Sequence, residues 1–235
     1  MIEQKLYARG PYDRFNYSEQ WIRLSEGCPN GCEYCRETKE CGKEPIYFEI
    51  PSIIRTKVKI LDMNLLYKPR ALEIIKALGE KRAFNKVVHY ELVCGIDFRY
   101  LTPELAQALK KSRFDNIRFA WDWGLDLQFK IKDCINILSL AGFRKSEISC
   151  FVICNWRISY QDCLRKLDLL KVWGVKINDC WFDNQLSPHI KPLFWSPEEI
   201  KDFRSKARKH NQLVRFGIDP ELKRDPRFRK DPLKL

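Results

Sequence analysis

The sequence lacks the long apolar runs that would span a membrane, because no hydrophobic stretch approaches the roughly 18 residues that a bilayer requires. It also lacks a repeat period and any low-complexity tract. Its first five residues lack the basic-then-apolar pattern of a signal peptide. Hydrophobic residues make up 45% and charged residues 31% of the 235 positions, which excludes disorder, collagen and coiled coil. We therefore expect a cytoplasmic globular protein with no membrane partner.

Negative charge is the scarcer sign in this chain. There are 43 Lys and Arg against 31 Asp and Glu, which gives a formal net charge of +12. More than half of that excess falls in residues 201–235. Such an excess predicts attraction to an anion, such as nucleic acid, a nucleotide or an acidic partner. We divide the chain into an irregular lead-in (1–19), a central domain (20–212) and a basic C-terminal appendage (213–235).

Strand-like and helix-like segments alternate along the central domain. Thr102 and Ser196, each followed by proline, are expected to begin helices, and Gly79, Gly142 and Gly174 to end them. This alternation predicts βαβ units and a parallel α/β sheet, with functional groups at the carboxyl ends of the strands. Six units in this length favour a partial (βα)6 TIM-like barrel or an open sheet. The six predicted strands cover residues 21–25, 58–64, 87–94, 117–122, 148–154 and 176–182.

Three of the ten cysteines stand close together directly after the first predicted strand. Cys28, Cys32 and Cys35 follow a C-x3-C-x2-C pattern in a loop that also contains Gly27 and Gly31. Three thiolates on one tight loop can hold three irons of a [4Fe-4S] cluster and leave the fourth iron open to a substrate. The glycines allow the backbone to take unusual dihedral angles beside such a cluster.

Cys41 leaves a second interpretation of this loop open. It lies six residues after Cys35 and could complete a four-cysteine zinc site. Zinc loops commonly contain two separated pairs of ligands, so a triplet with one distant cysteine favours the cluster. The other cysteines form no ligand-like set, and we expect them to pack as small apolar side chains. These are Cys94, Cys134, Cys150, Cys154, Cys163 and Cys180.

The segment from Cys28 to Cys35, with the aromatic Tyr34 before the third cysteine, resembles the signature of the radical S-adenosylmethionine (SAM) superfamily. The resemblance implies a partial or full βα barrel that binds a [4Fe-4S] cluster and SAM, with Tyr34 near the adenine. It implies reductive cleavage of SAM to a 5′-deoxyadenosyl radical that abstracts hydrogen from a substrate. It further implies oxygen sensitivity and an external electron donor of the flavodoxin or ferredoxin type.

The resemblance also suggests roles for polar residues at the ends of two later strands. Asp62 or Asn64 stands where the family commonly has a Gly-Gly-Glu-like segment that binds the SAM amino group, although this sequence departs from that segment. Arg118 is a candidate for the SAM carboxylate and Asp122 for the ribose. The alternatives are an ordinary strand-end turn for the first two, and an ion pair of Arg118 with Asp122 or Glu91 for the others.

Two further polar positions, Glu91 and Asn155, belong to this set of candidates. Glu91 in a central strand is costly to bury unless it is paired, and a polar barrel interior around a ligand would explain it. Asn155 is a candidate for ribose or adenine contact. Asp97 faces the same way as Glu91, with Arg99 as a nearby salt-bridge partner.

Three functional classes remain open from the sequence. The first is a radical SAM enzyme whose substrate is a nucleotide, a nucleic acid or another anion, which the basic appendage and the last helix would attract. The second is an activase that generates a radical on a partner protein. The third is a non-catalytic, zinc- or Fe-S-stabilised basic protein that binds nucleic acid. The basic residues of the last helix are Arg204, Lys206, Arg208 and Lys209.

Overall fold

The computed structural model describes residues 18–35, 41–122, 124–155, 157–181 and 195–217. The predicted lead-in up to residue 17 and the last part of the appendage, residues 218–235, lie outside these ranges. The strands are β1 (Glu19–Ile22), β2 (Ser25–Glu26), β3 (Ile46–Tyr47), β4 (Lys57–Ile60), β5 (Arg82–Ala83), β6 (Lys86–Val87), β7 (His89–Leu92), β8 (Ile117–Ala120), β9 (Ile148–Cys154) and β10 (Lys176–Trp181). The α-helices are α1 (Ala71–Glu80), α2 (Pro103–Lys111), α3 (Gln128–Leu140), α4 (Tyr160–Trp173) and α5 (Pro197–Phe216).

Six of these strands are parallel and follow one another in space as they do in the chain. Strands β1, β4 and β7 form one sheet, and β8, β9 and β10 form another. Two isolated parallel bridges, Tyr90–Phe114 and Ile96–Phe119, connect β7 with the segments at β8. The α/β class with parallel strands is therefore confirmed. The finer description as a (βα)6 barrel stays a prediction.

Side chains alternate between the two faces of these two sheets. Val58, Ile60, Ile117 and Phe119 are buried and belong to the apolar core. The intervening side chains point to the opposite face, because successive side chains in a strand alternate. We call this opposite face the inner face. It carries Lys59, Glu91, Arg118, Ala120, Ser149, Phe151, Ile153 and Asn178.

Most strands end earlier than the sequence pattern predicts. Strand β4 ends at Ile60 rather than at residue 64, because the chain then leaves the sheet. Asn64 adopts a left-handed conformation with φ 49° and ψ 51°, which no strand residue takes. The residues that follow the strands therefore lie in loops above the carboxyl edge of the sheet, where the site is built.

The helix boundaries follow the capping signals of the sequence with one exception. Thr102, Ser159 and Ser196 each accept a backbone N–H in the first turn of the helix that they begin. Helix α1 instead continues past Gly79, which we expected to end it. A Cβ at this glycine would come within 2.6 Å of Ser112 Oγ. Gly79 thus serves close contact with the end of α2 rather than helix termination.

Helix α5 covers the outer edge of strand β10. The Asn211 side chain accepts the Ile177 N–H at 2.9 Å and donates to the Ile177 carbonyl at 2.7 Å. His210 Nε2 lies 2.7 Å from the Val175 carbonyl oxygen. The helix runs to Phe216, so the segment 213–216 of the predicted appendage is helical. In the part of the chain that the structure describes, no helix is both long and apolar enough to cross a bilayer.

Candidate active site

A cavity of about 420 Å³ lies at the carboxyl ends of the parallel strands. Its volume falls in the range of about 300–1,000 Å³ that is typical of ligand pockets. The three cysteines of the loop line one side of it, and residues that follow or end β4, β7, β8, β9 and β10 line the rest. The lining residues are Cys28, Asn30, Cys32, Tyr34, Cys35, Met63, Asn64, Cys94, Gly95, Ile96, Asp97, Phe98, Arg99, Ala120, Asp122, Phe151, Ile153, Cys180 and Trp181.

The cysteine loop depends on one glycine with a left-handed backbone. Gly27 has φ +90°, and a Cβ there would lie 2.2 Å from the Glu44 carbonyl oxygen. This close approach allows the Cys28 N–H to donate to the Gly42 carbonyl at 3.2 Å. At the other end of the loop, the Cys35 N–H donates to the Cys32 carbonyl at 3.0 Å. Burial raises the pKa of the Cys32 thiol.

Asn64 connects the cysteine loop to the rim of the cavity. Its Nδ2 donates to Asp97 Oδ2 at 3.2 Å and lies 3.8 Å from Cys28 Sγ. A carboxylate and a thiol sulfur both accept hydrogen bonds, which fixes the amide nitrogen on that side. Asn64 Oδ1 therefore points the other way, where it is buried without a hydrogen-bond partner. An unpaired buried acceptor beside a cavity indicates a ligand that donates a hydrogen bond.

Asp97 and Arg99 form the ion pair that the sequence suggested, and it stands at the cavity rim. Arg99 donates to both carboxylate oxygens, at 2.8 and 2.5 Å. Asn30 of the cysteine loop donates to Asp97 at 3.1 Å and accepts from Arg99 at 2.8 Å. Burial alone would raise the pKa of Asp97, but the hydrogen bonds from Arg99 and Asn30 lower it.

Tyr34 and Asp122 both line the cavity and are hydrogen-bonded to each other. The Tyr34 hydroxyl donates to Asp122 Oδ2 at 2.6 Å. Burial raises the pKa of Asp122, while Tyr34 and the nearby Lys166 oppose that shift. Lys166 is fully buried, and its Nζ donates to the Trp121 carbonyl at 2.8 Å. Asp122 therefore accepts from the Tyr34 hydroxyl, and the nearby Lys166 favours the charged form of its carboxyl group.

Asp62 does not line the cavity, although the sequence made it a candidate for the SAM amino group. Its Oδ1 accepts the Leu24 N–H at 2.7 Å, and its Oδ2 accepts the Ser25 hydroxyl. The residue is completely buried, and this burial raises its pKa. Asp62 thus fixes the chain just before the cysteine loop, and Asn64 is the one of the two that reaches the cavity.

Glu91 and Arg118 also lie away from the cavity lining, because they are paired lower on the inner face. Glu91 forms ion pairs with Lys59 on β4 and with Arg118 on β8. Lys59 Nζ also lies 3.5 Å from Glu19 Oε1. The structure therefore shows the ion pair of Arg118 with Glu91 that was the alternative to carboxylate binding. We call Lys59, Glu91 and Arg118 the lower ion network.

Asn155 follows strand β9 in a left-handed conformation, with φ 55°, and is not among the residues that line the cavity. Two cysteines that we expected to be packing residues, Cys94 and Cys180, do line it. Burial raises the pKa of Cys180 to about 12. Alternation along β10 could have placed Cys180 on the inner face, as it does Asn178.

The three cysteines of the loop and Cys41 differ in their position relative to the cavity. Cys28, Cys32 and Cys35 share one loop and one cavity, whereas Cys41 is not among the described residues that line it. A tetrahedral zinc ion needs its ligands gathered around one point. Within the described residues, no group of three or more His, Cys, Asp or Glu side chains, the three loop cysteines included, is gathered in that way.

Comparison with solved structures identifies the fold. The chain is similar to the radical SAM methyltransferase TsrM from Kitasatospora setae, whose structure was determined with tryptophan substrate and a SAM analogue bound. The TM-score is 0.58 and the sequence identity is 11%, and the match covers 72% of this chain and 36% of TsrM. The chain is similar to coproporphyrinogen III oxidase (HemN) from Escherichia coli, a radical SAM enzyme, with a TM-score of 0.55 and 12% identity over 80% and 50%. The fold is that of radical SAM enzymes.

A third structure similar to this radical SAM fold is HydG, a maturase of the [FeFe]-hydrogenase. It matches with a TM-score of 0.54 and 13% identity over 84% of this chain and 50% of its own. The chain thus spans between about one third and one half of the length of these structures. No family model matches the sequence, and no curated protein matches it.

Proposed function

We propose that this chain is a radical SAM enzyme that cleaves SAM reductively and uses the resulting radical on a substrate in the same cavity. One observation carries the proposal. The three cysteines of the C-x3-C-x2-C loop line a single cavity together with Tyr34 and with polar residues from three strand ends. This placement occurs in a fold similar to that of solved radical SAM enzymes.

Cys28, Cys32 and Cys35 would hold the cluster. When bound, a reduced [4Fe-4S] cluster with an open iron supplies the electron that cleaves the SAM sulfonium to a 5′-deoxyadenosyl radical. The protein fixes the loop through Gly27 and through Asp62, which holds the residues immediately before it. An external donor of the flavodoxin or ferredoxin type would provide the electron.

Asn64 supplies the acceptor for the SAM ammonium group. Its Oδ1 is the buried oxygen without a partner, and an ammonium is a strong donor with no acceptor of its own. Asp97 holds the Asn64 amide in place through Nδ2 and is itself neutralised by Arg99. The rim of the cavity therefore presents the Asn64 Oδ1 in a fixed orientation, and the negative charge of Asp97 beside it is balanced by Arg99.

Tyr34 and Asp122 bind the nucleoside half in this proposal. The carboxylate can accept from ribose hydroxyls while it keeps the hydrogen bond from Tyr34. Phe151, Ile153 and Met63 add apolar surface to the same cavity. An apolar wall of this kind excludes water, which protects a reactive radical from side reactions.

Anaerobic reconstitution with iron and sulfide tests the proposal. We expect the parent protein to turn brown, to bind about four irons per chain and to release 5′-deoxyadenosine from SAM under dithionite. Cys32→Ala should lose both properties, and Cys41→Ala, the matched control, should keep both. A colourless protein that binds one zinc per chain, and loses it in Cys41→Ala, would overturn the proposal.

A further inference from the structure

Helix α5 carries four cations in one line on its exposed face. Lys201, Arg204, Arg208 and Arg215 are all exposed, and intervals of three, four and seven residues place them on the same side of a helix. We call these four residues the basic stripe. At a rise of 1.5 Å per residue the stripe is about 21 Å long.

The charge of the basic stripe is not neutralised within the described part of the protein. None of its four members forms an ion pair with a described acidic side chain. Lys206, which lies on another side of α5, contrasts with them because it pairs with Asp202. The acidic residues Glu198 and Glu199 are confined to the first turn. Among the described residues, the stripe is therefore a line of positive charge that no acidic side chain pairs with.

The basic stripe reaches the rim of the candidate active site. The Arg204 guanidinium lies 4.6 Å from the centroid of the Trp181 ring. Trp181 ends strand β10 and lines the cavity, and Trp195 packs edge-on against it with centroids 5.5 Å apart. An aromatic ring in the cavity wall is thus joined to a row of cations that leads away from it.

We propose that the basic stripe binds the phosphodiester backbone of a single-stranded nucleic acid and brings one nucleotide of it to the cavity beside Trp181. This deepens the proposed function by naming its substrate class, and the substrate role rests on that function, whereas the binding does not. Three of the four cations are arginines, whose planar fork suits phosphate. A cationic track beside an aromatic ring is the usual arrangement for single strands.

The place of Trp181 in the cavity wall favours a single strand over a duplex. A base within a duplex would first have to leave its stack to reach the cavity wall at Trp181, whereas a base of a single strand is already free of one. An acidic protein would also be attracted by the basic stripe, but the aromatic ring inside the cavity would not contribute to its binding. We therefore treat an acidic polypeptide as the competing outcome of the test.

Fluorescence anisotropy with a labelled single-stranded RNA of about 20 nucleotides and the reconstituted full chain tests the binding. The double variant Arg204→Gln/Arg208→Gln should lower the slope of log affinity against log salt by about 1.4, since each phosphate contact on a single strand contributes about 0.7. The same relation predicts a loss of about tenfold at 0.2 M salt and a larger loss at 0.05 M.

The charge-matched control is Lys130→Gln/Lys132→Gln, which removes two exposed cations from helix α3. We expect this control to keep the parent salt slope. Equal losses in the two double variants would show non-specific attraction to net charge and would overturn the proposal. Polyglutamate of matched charge that displaces the RNA as well as unlabelled RNA does would also overturn it.

Failure of this inference and failure of the proposed function give different results. 5′-Deoxyadenosine release from SAM is measured on the same parent preparation without any nucleic acid. Release with an unchanged salt slope in the Arg204→Gln/Arg208→Gln variant overturns the nucleic-acid proposal alone. A reduced slope without any release overturns the proposed reaction and leaves the binding surface in place.

Discussion

The inner face and the loops above it form a lower and an upper level that are polar in different ways. At the lower level, Glu91 is almost completely buried and is matched by Lys59 and Arg118, one on each neighbouring strand. At the upper level, Asn64 has one end of its amide engaged by Asp97 and leaves the other end, Oδ1, unpaired. The lower level is complete without a ligand, and the upper level is not.

This difference separates polar residues that hold the fold from polar residues that serve chemistry. Glu91 lies in a strand and Asn64 in the loop after one, yet the sequence pattern predicts strand at both positions and the two look alike in the sequence. What distinguishes them is whether the protein itself satisfies every polar atom. We therefore expect changes at the lower level to affect stability first, and changes at the upper level to affect ligand binding first.

The largest effect is expected from Glu91→Gln, which removes the carboxylate that Arg118 and Lys59 share and leaves Lys59 with Glu19 alone. We expect the free energy of unfolding to fall by about 2–4 kcal/mol, because a buried charge loses its partner, with some relief from the partial exposure of Lys59 and Arg118. Urea unfolding monitored by circular dichroism measures this change. The triple replacement Lys59→Met/Glu91→Leu/Arg118→Met should recover most of the loss, and a triple variant as unstable as the single one would contradict this account.

The next effect concerns Asn64 at the upper level. Asn64→Gly keeps the left-handed backbone and removes the amide, so we expect little loss of stability but about a tenfold weaker SAM affinity of the reconstituted protein, from one lost hydrogen bond to a charged group. Isothermal titration under anaerobic conditions measures the affinity. Asn85→Gly, at another left-handed asparagine in the β5–β6 turn, is the control. SAM affinity that falls equally in both variants would argue against a specific role for Asn64.

A smaller effect is expected from Tyr34→Phe, and it should show as a shift in a pH profile. Tyr34 donates to Asp122, and this hydrogen bond opposes the rise in the pKa of Asp122 that burial causes. Its loss should raise that pKa further. In our proposal, ionised Asp122 accepts hydrogen bonds from the ribose. SAM binding should therefore weaken as the pH falls through the pKa of Asp122. This weakening should begin at a higher pH in Tyr34→Phe than in the parent protein. If SAM affinity falls at the same acidic pH in the parent protein and in Tyr34→Phe, this role of Tyr34 is excluded.

The smallest effect is a change in how stability depends on pH, which we expect from two carboxyl groups, Asp97 and Asp62, whose pKa values are shifted in opposite directions. The folded-state pKa of Asp97 is lowered, so its contribution to stability is present above its unfolded pKa of about 3.9 and is lost as the pH falls further. The pKa of Asp62 is raised by burial, so the parent should lose stability relative to Asp62→Asn as the pH rises from about 4. Urea midpoints between pH 3 and 7 for Asp62→Asn and Asp97→Asn measure both trends. Trends of the same sign would contradict the assignments.

Local features of this protein could be predicted well from the sequence. Thr102 and Ser196 begin helices as their side chains and the following prolines predict. Cys28, Cys32 and Cys35 do lie at the end of the first strands, in one cavity. These features depend on neighbours a few residues away, so the sequence contains most of the information that decides them.

Features that depend on strand register could not be predicted in the same way. Glu91 meets Lys59 because β4 and β7 pair those two residues, and the distance along the chain says nothing about that pairing. Asp62 and Asn64 are two residues apart, yet one is bound to the backbone before the cysteine loop and the other reaches the cavity. The left-handed backbone of Asn64 makes this difference, and asparagine only permits such a conformation without requiring it.

The contact between Asn211 and Ile177 has a consequence for how the molecule behaves in a crowded solution. An outer strand with a free main-chain N–H and carbonyl is a template onto which another chain can be added. The Asn211 amide occupies both groups of Ile177 with the donor and acceptor that an incoming strand would have offered. One side chain thereby imitates a neighbouring strand. At Ile177, this edge of β10 therefore offers no free main-chain group to an incoming strand.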